Sequence, residues 1–251
     1  MAATPLKLLR TAAQRTAYGA AEPQFVDFYE PPGSGLPAAV VVMIHGGYWR
    51  DRIDLSIMEP LTADALSRGV AVANVEYRRV GSGGGWPATG ADVAEALTHV
   101  REHWRQWCGL VPFISVGHSV GGQLALLNAA AVDAVVALAP VTDVARADGE
   151  RLGEDAAVDF MGGRAADLPA GYAAASPLRN LPLPAPVLVI HGDVDVRVPV
   201  AHTRDFVAAA RGAGGRIDYL EVPGLEHVAA IDPSVPHWAA AIAWMLEQRV
   251  R

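Results

Sequence analysis

Short, continuous apolar runs recur along this chain and constrain its fold more than any other feature. Residues 40–44 read VVVMI, residues 134–138 read AVVAL and residues 187–190 read VLVI. Strands buried on both faces consist of such runs, whereas a strand with one face in water alternates apolar and polar residues. Helix-period segments separate the runs. The sequence therefore predicts an α/β fold with a mostly parallel central sheet and helices on both faces.

The pattern predicts seven strands, five helices and one irregular segment. The strands are expected at 25–29, 40–44, 70–75, 113–116, 134–138, 187–190 and 217–222, and the helices at 53–68, 88–107, 121–131, 202–211 and 236–249. A length of 251 residues suits a single domain, 1–251. Residues 142–186 contain no clear strand. A connection of this length more often has a function than serves only as a linker, so we expect a small lid there.

Composition limits the classes of partner. The formal net charge is −7 and no basic run stands out, which argues against a nucleic-acid surface. No apolar stretch approaches the roughly 18 residues that span a bilayer. The basic N-terminus, interrupted by Lys7 and Arg10, lacks the core of a signal peptide and is expected to form an exposed amphipathic arm or helix. We therefore expect a soluble, cytoplasmic protein without a membrane partner, with homodimerisation left open.

Neither a disulfide nor a cofactor is expected. Cys108 is the single cysteine and lies at a predicted helix end, so an intrachain disulfide is excluded and a buried structural thiol is favoured. No H-E-x-x-H spacing and no phosphate-binding P-loop occurs, because the glycines at 81–85 are not followed by Lys-Ser or Lys-Thr. The expected partner is a small-molecule ester or amide substrate.

The pentapeptide Gly117-His118-Ser119-Val120-Gly121 lies between a predicted buried strand and a helix rich in small residues. G-x-S-x-G at a strand-to-helix turn is typical of a nucleophile elbow, where glycines permit a sharp turn that lifts the serine hydroxyl above the sheet edge. The dipole of the following helix directs its positive end toward this site. The sequence therefore predicts Ser119 as a nucleophile.

A serine nucleophile needs a base, and His227 is the favoured one. It lies in PGLEHV, after the last predicted strand and before the last helix, on a loop at the expected edge of the sheet. The other seven histidines have simpler explanations: His118 is constrained inside the elbow, His99 and His103 lie on a solvated helix face, His45 and His191 brace loops, and His202 and His237 open helices.

The carboxylate that orients the base is expected after the penultimate strand, where the chain reads HGDVDVRVP. Asp195 reaches further beyond the strand and fits the recurrent pattern H-G-x-x-D-x-x-V-P, so it is favoured. Asp193 is expected to form an Asx-type turn. Asp143, which follows an earlier strand, is the third candidate.

Donors to a developing oxyanion are expected from two places. One is the backbone N–H of Val120, directly after the predicted nucleophile. The others come from the loop after residues 40–44, where Gly46 and Gly47 let the backbone turn its amides inward. A tight structural turn is the alternative explanation of this glycine pair.

Ser119, Asp195 and His227, in this order and with His45-Gly46-Gly47 upstream, resemble the α/β-hydrolase superfamily over nearly the whole chain. Within it, HGGYW followed by GHSVG resembles the branch of arylformamidases (kynurenine formamidases) and small carboxylesterases related to the hormone-sensitive-lipase group. The resemblance implies an oxyanion hole formed by the amides of Gly46, Gly47 and Val120.

Two further segments bear on this resemblance. Tyr48 stands where the HGGG form of the motif has a third glycine, which leaves the second inward-pointing amide open. The segment Glu76-Tyr77-Arg78 resembles the D-Y-R element that supports the oxyanion loop of such esterases.

The sequence predicts a cofactor-independent serine hydrolase that cleaves a small carboxylic ester or an activated amide through an acyl-enzyme on Ser119. Tyr48, Trp49 and Trp86 are expected to line an aromatic substrate pocket, with ordinary packing as the alternative. An arylformamidase-type or other amide hydrolase, or an acyltransferase, in a biosynthetic or catabolic pathway uses the same triad. A non-catalytic binding protein on a hydrolase scaffold is the remaining alternative.

Overall fold

The computed structural model describes residues 14–33 and 35–250. Eight strands form one sheet in the order β1-β2-β4-β3-β5-β6-β7-β8. Their bounds are β1 Gln14–Ala17, β2 Phe25–Tyr29, β3 Val40–Ile44, β4 Ala71–Val75, β5 Phe113–His118, β6 Ala134–Leu138, β7 Val187–Gly192 and β8 Ile217–Val222. Strands β1 and β2 are antiparallel to their neighbours, and the other pairs are parallel. The predicted mostly parallel sheet is confirmed.

Eight α-helices connect the strands within the described residues. They are α1 Glu59–Ser67, α2 Ala88–His103, α3 Val120–Leu127, α4 Val144–Gly149, α5 Leu152–Met161, α6 Pro169–Ala175, α7 Val200–Gly212 and α8 Pro236–Leu246. Single 3₁₀ turns lie at Leu55–Met58, Ala129–Ala131, Pro177–Arg179 and Val228–Ile231. The predicted segments 53–68 and 121–131 therefore each divide into a 3₁₀ turn and an α-helix.

The sheet separates two cores, and the alternation of side chains along each strand assigns residues to them. In β3, Val40, Val42 and Ile44 pack with α2, α3 and α7, whereas Val41 and Met43 pack with α1 and α8. Because both faces are covered, every residue of β3 is buried. Helices on both faces of the sheet are thus confirmed, and they leave the strand ends as the accessible edge.

The first strand was not predicted, because its sequence QRTA is polar and three of its four residues are exposed. It pairs with β2 at the edge of the sheet. Residues 14–17 of the predicted amphipathic arm are therefore a strand, and residues 1–13 of that arm lie outside the described residues.

The expectation that His99 and His103 lie on a solvated helix face was wrong. His99 Nε2 lies 2.7 Å from the Thr16 hydroxyl of β1. The His103 ring stacks on Phe28 of β2 with ring centroids 3.8 Å apart. Because β1 and β2 extend the sheet beyond β4, they give this face of α2 a partner.

Residues 142–186, the predicted lid, contain α4, α5 and α6 between β6 and β7. We call this segment the cap. Its helices pack in a third apolar cluster that also includes Trp49 and Val120, so the cap sits on the same end of the sheet as the GHSVG motif. The Cys108 thiol is only half-buried, and burial raises its pKa. Among the described residues no helix has the length and apolarity of a membrane span.

Candidate active site

The GHSVG motif forms a sharp turn between β5 and α3. Ser119 adopts φ 58° and ψ −120°, a conformation that costs a non-glycine residue free energy. The turn is held by the Ser119 N–H, which donates to the Leu138 carbonyl at 2.8 Å. A Cβ on Gly117 would lie 2.2 Å from the Gly121 carbonyl oxygen, and one on Gly121 would lie 2.1 Å from that of Ile44. Both glycines are therefore required by close backbone contacts.

His227 and Asp195 meet beside this turn. The His227 Nδ1–H donates to Asp195 Oδ2 at 2.6 Å, which leaves the other ring nitrogen, Nε2, available as a base. His118, the neighbour of Ser119, lies with its ring centroid 4.7 Å from that of His227. Ser119 is 2% exposed, His227 6% and Asp195 7%. The structure thus brings the predicted nucleophile, base and carboxylate to one edge of the sheet.

Both carboxylate oxygens of Asp195 are hydrogen-bonded. Oδ1 accepts from the backbone N–H groups of Arg197 and Val198 at 2.8 and 2.9 Å, and Oδ2 accepts from His191 Nε2 at 3.0 Å as well as from His227. Burial acts to raise the pKa of Asp195, but these hydrogen bonds outweigh it and hold the pKa well below its usual value. Asp195 is therefore an anion that fixes the orientation of the His227 ring.

His191 supports Asp195 from behind, in agreement with the bracing role predicted for it. Its Nδ1 lies 2.7 Å from the Thr203 hydroxyl of α7, and its Nε2 also lies 2.9 Å from the Val198 carbonyl oxygen. This network satisfies a histidine that is fully buried. The carboxylate consequently has a rigid platform on two elements, β7 and α7.

Asp193 does not form the predicted local turn but joins two loops. Its Oδ1 accepts from the Gly224 N–H at 2.6 Å, which ties the loop after β7 to the loop that carries His227. The same two loops touch at Gly192, where a Cβ would lie 1.8 Å from the Leu225 carbonyl oxygen. Asp143, the third candidate, instead caps α4 by accepting from the Arg146 N–H.

His118 contacts the His227 loop through its side chain. Its Nε2–H donates to the His227 carbonyl oxygen at 3.1 Å, and its Nδ1 has no hydrogen-bond partner in the described part of the chain. Burial, followed by the neighbouring His227, lowers the pKa of His118 to about 3. A neutral His118 therefore links the elbow to the backbone of the predicted base, a contact that the motif alone did not indicate.

The loop after β3 lies directly against the elbow. A Cβ on Gly46 would lie 3.0 Å from the Ser119 Cβ and from the His118 carbonyl oxygen. Gly47, Tyr48 and Trp49 then have φ values of 119°, 55° and 57°, three consecutive residues on the left-handed side. Within the described residues, the Gly47 and Val120 N–H groups donate to no protein acceptor. We call residues 45–49 the oxyanion turn, after the role predicted for them from the sequence.

Buried charges hold this turn from behind. His45 Nδ1 lies 2.7 Å from the Gly46 carbonyl oxygen, and its Nε2 lies 3.0 Å from Glu76 Oε1. The Tyr77 hydroxyl donates to the His45 carbonyl oxygen at 2.7 Å, and its ring stacks on the His45 ring. Glu76 also pairs with Arg79 at 2.9 Å. Glu76 and Tyr77 thus support the turn, as the resemblance implied.

Arg79 rather than Arg78 is the arginine of this support. Its guanidinium donates to the Asp51 and Ile53 carbonyl oxygens just beyond the oxyanion turn. Arg78 instead binds Asp92 at the start of α2, with a shortest distance of 2.6 Å. The chain carries two consecutive arginines, and no local pattern indicates which one faces the turn.

The three predicted pocket aromatics have different surroundings. Tyr48 is half-buried, and its hydroxyl donates to the Arg197 carbonyl oxygen at 3.3 Å, beside Asp195. Trp49 is 2% exposed and stacks on Phe160 of the cap, which favours the alternative of ordinary packing. Trp86 is half-buried against Phe160 and lines a surface cavity that includes none of Ser119, Asp195 and His227. Of the three, Tyr48 has the surroundings that best suit substrate contact, and the pocket roles stay predictions.

Two other features complete the surroundings of the site. Val194, Val196 and Val228, which flank Asp195 and His227, are 46%, 91% and 54% exposed. We call these three exposed apolar residues, which adjoin Asp195 and His227 in the chain, the apolar rim. Among the described residues, no group of three or more His, Cys, Asp or Glu side chains is arranged to hold a metal ion.

Comparison with known proteins identifies the family of this chain. A family model described as BD-FAE matches residues 26–209, most of the chain. The chain belongs to the BD-FAE family. Esterase LipQ of Mycobacterium tuberculosis is 31% identical over 214 residues, which cover 77% of this chain and 51% of that protein. The chain therefore spans about half the length of this curated relative.

Solved structures of two esterases have a similar fold. A truncated carbohydrate esterase from gut microbiota has a TM-score of 0.81 at 19% identity, covering 94% of this chain and 96% of that one. A thermophilic esterase of Thermogutta terrifontis, solved with propionate bound, has a TM-score of 0.68 at 22% identity, covering 86% and 85%. At these identities the similarity concerns the fold, and the BD-FAE family member described here has the α/β-hydrolase fold.

Proposed function

We propose that this protein is a serine esterase that hydrolyses a small carboxylic ester through an acyl-enzyme on Ser119. The observation that carries the proposal is the 2.6 Å hydrogen bond between His227 and Asp195 beside a serine held in a strained elbow. Relatives whose names are those of esterases support the choice of ester hydrolysis. The elbow geometry and the buried aspartate are what such chemistry requires.

In this mechanism the Ser119 hydroxyl attacks the ester carbonyl while His227 Nε2 takes its proton. Asp195 stabilises the imidazolium and then His227 gives the proton to the departing alkoxide, which leaves as the alcohol. A water molecule, deprotonated by His227, attacks the acyl-enzyme and releases the carboxylic acid and Ser119. The N–H groups of Val120 and of the oxyanion turn at Gly46 and Gly47 stabilise the oxyanion in both steps.

The surroundings favour an uncharged substrate with an apolar group. The apolar rim flanks both Asp195 and His227, so a bound ester contacts apolar surface next to the reacting carbonyl. Tyr48, half-buried with its hydroxyl on the Arg197 carbonyl oxygen, adds an aromatic ring from the oxyanion turn. Because Trp49 is buried, one of the three aromatic side chains predicted to line an aromatic pocket offers almost no surface to a substrate, and an ester is preferred over an N-formyl arylamine.

Initial rates on a matched panel test this proposal. The panel holds p-nitrophenyl acetate, butyrate and octanoate beside N-formylkynurenine and simple anilides, with Ser119→Ala as the blank. We expect ester turnover that falls about 10⁶-fold in kcat in Ser119→Ala, because losing the nucleophile removes the covalent route. Ester turnover that survives in Ser119→Ala would refute the proposal. A formamide preference of several orders of magnitude would replace the ester with an arylamide substrate.

A further inference from the structure

One buried glutamine joins three separate segments at the candidate active site. Gln123 is fully buried on the first turn of α3, and its backbone N–H donates to the Ser119 carbonyl oxygen at 3.2 Å. Its side-chain Oε1 accepts from the indole N–H of Trp49 at 2.9 Å. Its Nε2 donates to the Ala175 carbonyl oxygen at the end of α6 in the cap, at 2.7 Å. The helix of the nucleophile, the oxyanion turn and the cap therefore meet at one amide.

Trp49 is the end of the oxyanion turn that Gln123 holds. Its backbone has φ 57°, an unfavourable conformation that persists only where surrounding contacts enforce it. Its ring stacks on Phe160 with centroids 4.5 Å apart and planes 6° from parallel. Its carbonyl oxygen accepts from the Val80 N–H at 2.8 Å. With the bond to Gln123, Trp49 is fixed through its backbone, its ring face and its ring nitrogen.

These contacts attach both ends of the oxyanion turn to the segment that carries the nucleophile. At one end Gly46 lies against Ser119 itself, and at the other Trp49 is bonded to Gln123, four residues further along. The turn cannot shift relative to Ser119 without breaking one of these contacts. Oxyanion donors act only at short, fixed distances from the reacting carbonyl. The attachment therefore determines whether the amides of Gly46 and Gly47 are in place.

We propose that Gln123 is a positioning residue for the esterase reaction, which it serves by holding Trp49 and, through Trp49, the oxyanion turn in register with Ser119. Gln123 touches no reacting atom. An amide is the side chain that suits this position, because it accepts from the indole N–H and donates to the Ala175 carbonyl oxygen at once. The inference rests on the proposed esterase function, and its failure is distinguishable from failure of that function.

The test is a double-mutant cycle with Gln123→Met, Trp49→Phe and the double variant. Methionine fills a similar volume without hydrogen-bonding to Trp49, and phenylalanine retains a ring against Phe160 without the N–H. We expect kcat for a p-nitrophenyl ester to fall roughly 10- to 100-fold in each single variant, because small displacements of reacting groups cost that much. KM is expected to stay within about twofold, since ground-state binding is untouched. The double variant should resemble the single ones.

Asn128→Ala is the matched control, because it removes a side-chain amide bond at the other end of the same helix, where Nδ2 donates to the Leu124 carbonyl oxygen at 2.9 Å. It should leave kcat within about threefold of the native value, as a distant and independent site. Thermal unfolding of each variant verifies that rates are compared on folded protein. If Gln123→Met does not fold, Trp49→Phe decides alone.

An unchanged kcat in a folded Gln123→Met or Trp49→Phe variant overturns the inference. Full multiplication of the two losses in the double variant also overturns it, because the residues would then act independently. Both results leave the esterase function standing as long as turnover depends on Ser119. Turnover that is independent of Ser119 removes the proposed function instead.

Discussion

The nucleophile elbow and the loops that surround it are built in different ways. The elbow is specified within residues 117–121, where two glycines allow Ser119 its strained conformation. The oxyanion turn is specified by residues far away in the chain, including Glu76, Arg79 and Gln123. One part of the site is therefore encoded locally, and the other depends on contacts that exist only in the folded protein.

The elbow and the oxyanion turn should respond differently to substitution. The elbow has no spare room, so adding a single methyl group forces backbone atoms apart. The oxyanion turn has several supports, so the loss of one should displace the turn only partly. The Asp195–His227 pair belongs to the second kind, because its members come from separate loops that Asp193 and Gly192 join. Substitutions at each part make the comparison testable.

The largest effect is expected where a contact between loops is also a proposed catalytic interaction. Asp195→Asn should lower kcat about 10⁴-fold, because an amide cannot hold His227 in the correct tautomer or stabilise its charged form. Asp193→Asn is the matched control, since its amide oxygen still accepts from the Gly224 N–H. The measurement is kcat for a p-nitrophenyl ester. Equal losses in both variants would show that the loop connection, and not the catalytic carboxylate, limits the reaction.

A substitution in the elbow should destabilise the fold, because the new side chain collides with the backbone. Gly121→Ala places a Cβ 2.1 Å from the Ile44 carbonyl oxygen, so β3 or α3 must move. We expect an unfolding free energy lower by about 3 kcal/mol or more, at the upper end for overpacked sites. Gly149→Ala is the control, because nothing lies within 4 Å of a Cβ there. Equal midpoints of urea unfolding in the two variants would show that the elbow is less tightly packed than the distances require.

A smaller effect on rate is expected from the supports of the oxyanion turn. Glu76→Gln weakens the contacts with His45 and Arg79 while retaining side-chain volume, so the turn should loosen and kcat should fall roughly tenfold. The exposed Glu95→Gln on α2 is the control. Initial ester rates of the two variants provide the measurement. A kcat loss of several orders of magnitude in Glu76→Gln would mean that the turn has a single essential support.

The smallest effect concerns acid stability. Burial acts to raise the pKa of Glu76, but hydrogen bonding and attraction from His45, with Arg79, hold it below the usual 4.5. A carboxyl group with a lowered pKa stabilises the fold above its ordinary pKa and loses that contribution as the pH falls through its lowered value. The unfolding free energies of native protein and Glu76→Gln should differ by a constant amount above about pH 5.5 and converge below about pH 4.5. A difference that grows on acidification would contradict this sign.

The same distinction explains what the sequence predicted. The strands and the mostly parallel sheet followed from apolar runs that can be recognised without knowing their partners, and Ser119 followed from the glycines of the GHSVG motif. Asp195 and His227 were predicted from their places after strands, because parallel strands end at one edge. These features are all readable from neighbouring residues. The edge strand β1 lacked such a signal, since three of its four residues are polar.

The features that were missed depend on backbone conformation and on distant partners. Trp49 was expected in a pocket, but a left-handed backbone at Gly47, Tyr48 and Trp49 turns its ring onto Phe160, and no spacing in the sequence indicates such a run. The role of Gln123 could not be predicted either, because its side-chain amide bonds to Trp49 and Ala175, which are distant from it in the chain. Among the supports of the oxyanion turn, only Glu76 and Tyr77 were therefore predictable, because the family resemblance indicated them.

Covalent labelling tests most directly whether Ser119 is the nucleophile of an acyl-enzyme. The folded native protein is treated with a fluorophosphonate, and its intact mass and peptide map are compared with those of Ser119→Ala. We predict one adduct per chain, located on the peptide that contains Ser119, with none in the variant. An adduct on another residue, or no adduct on native protein that hydrolyses esters, would contradict the account.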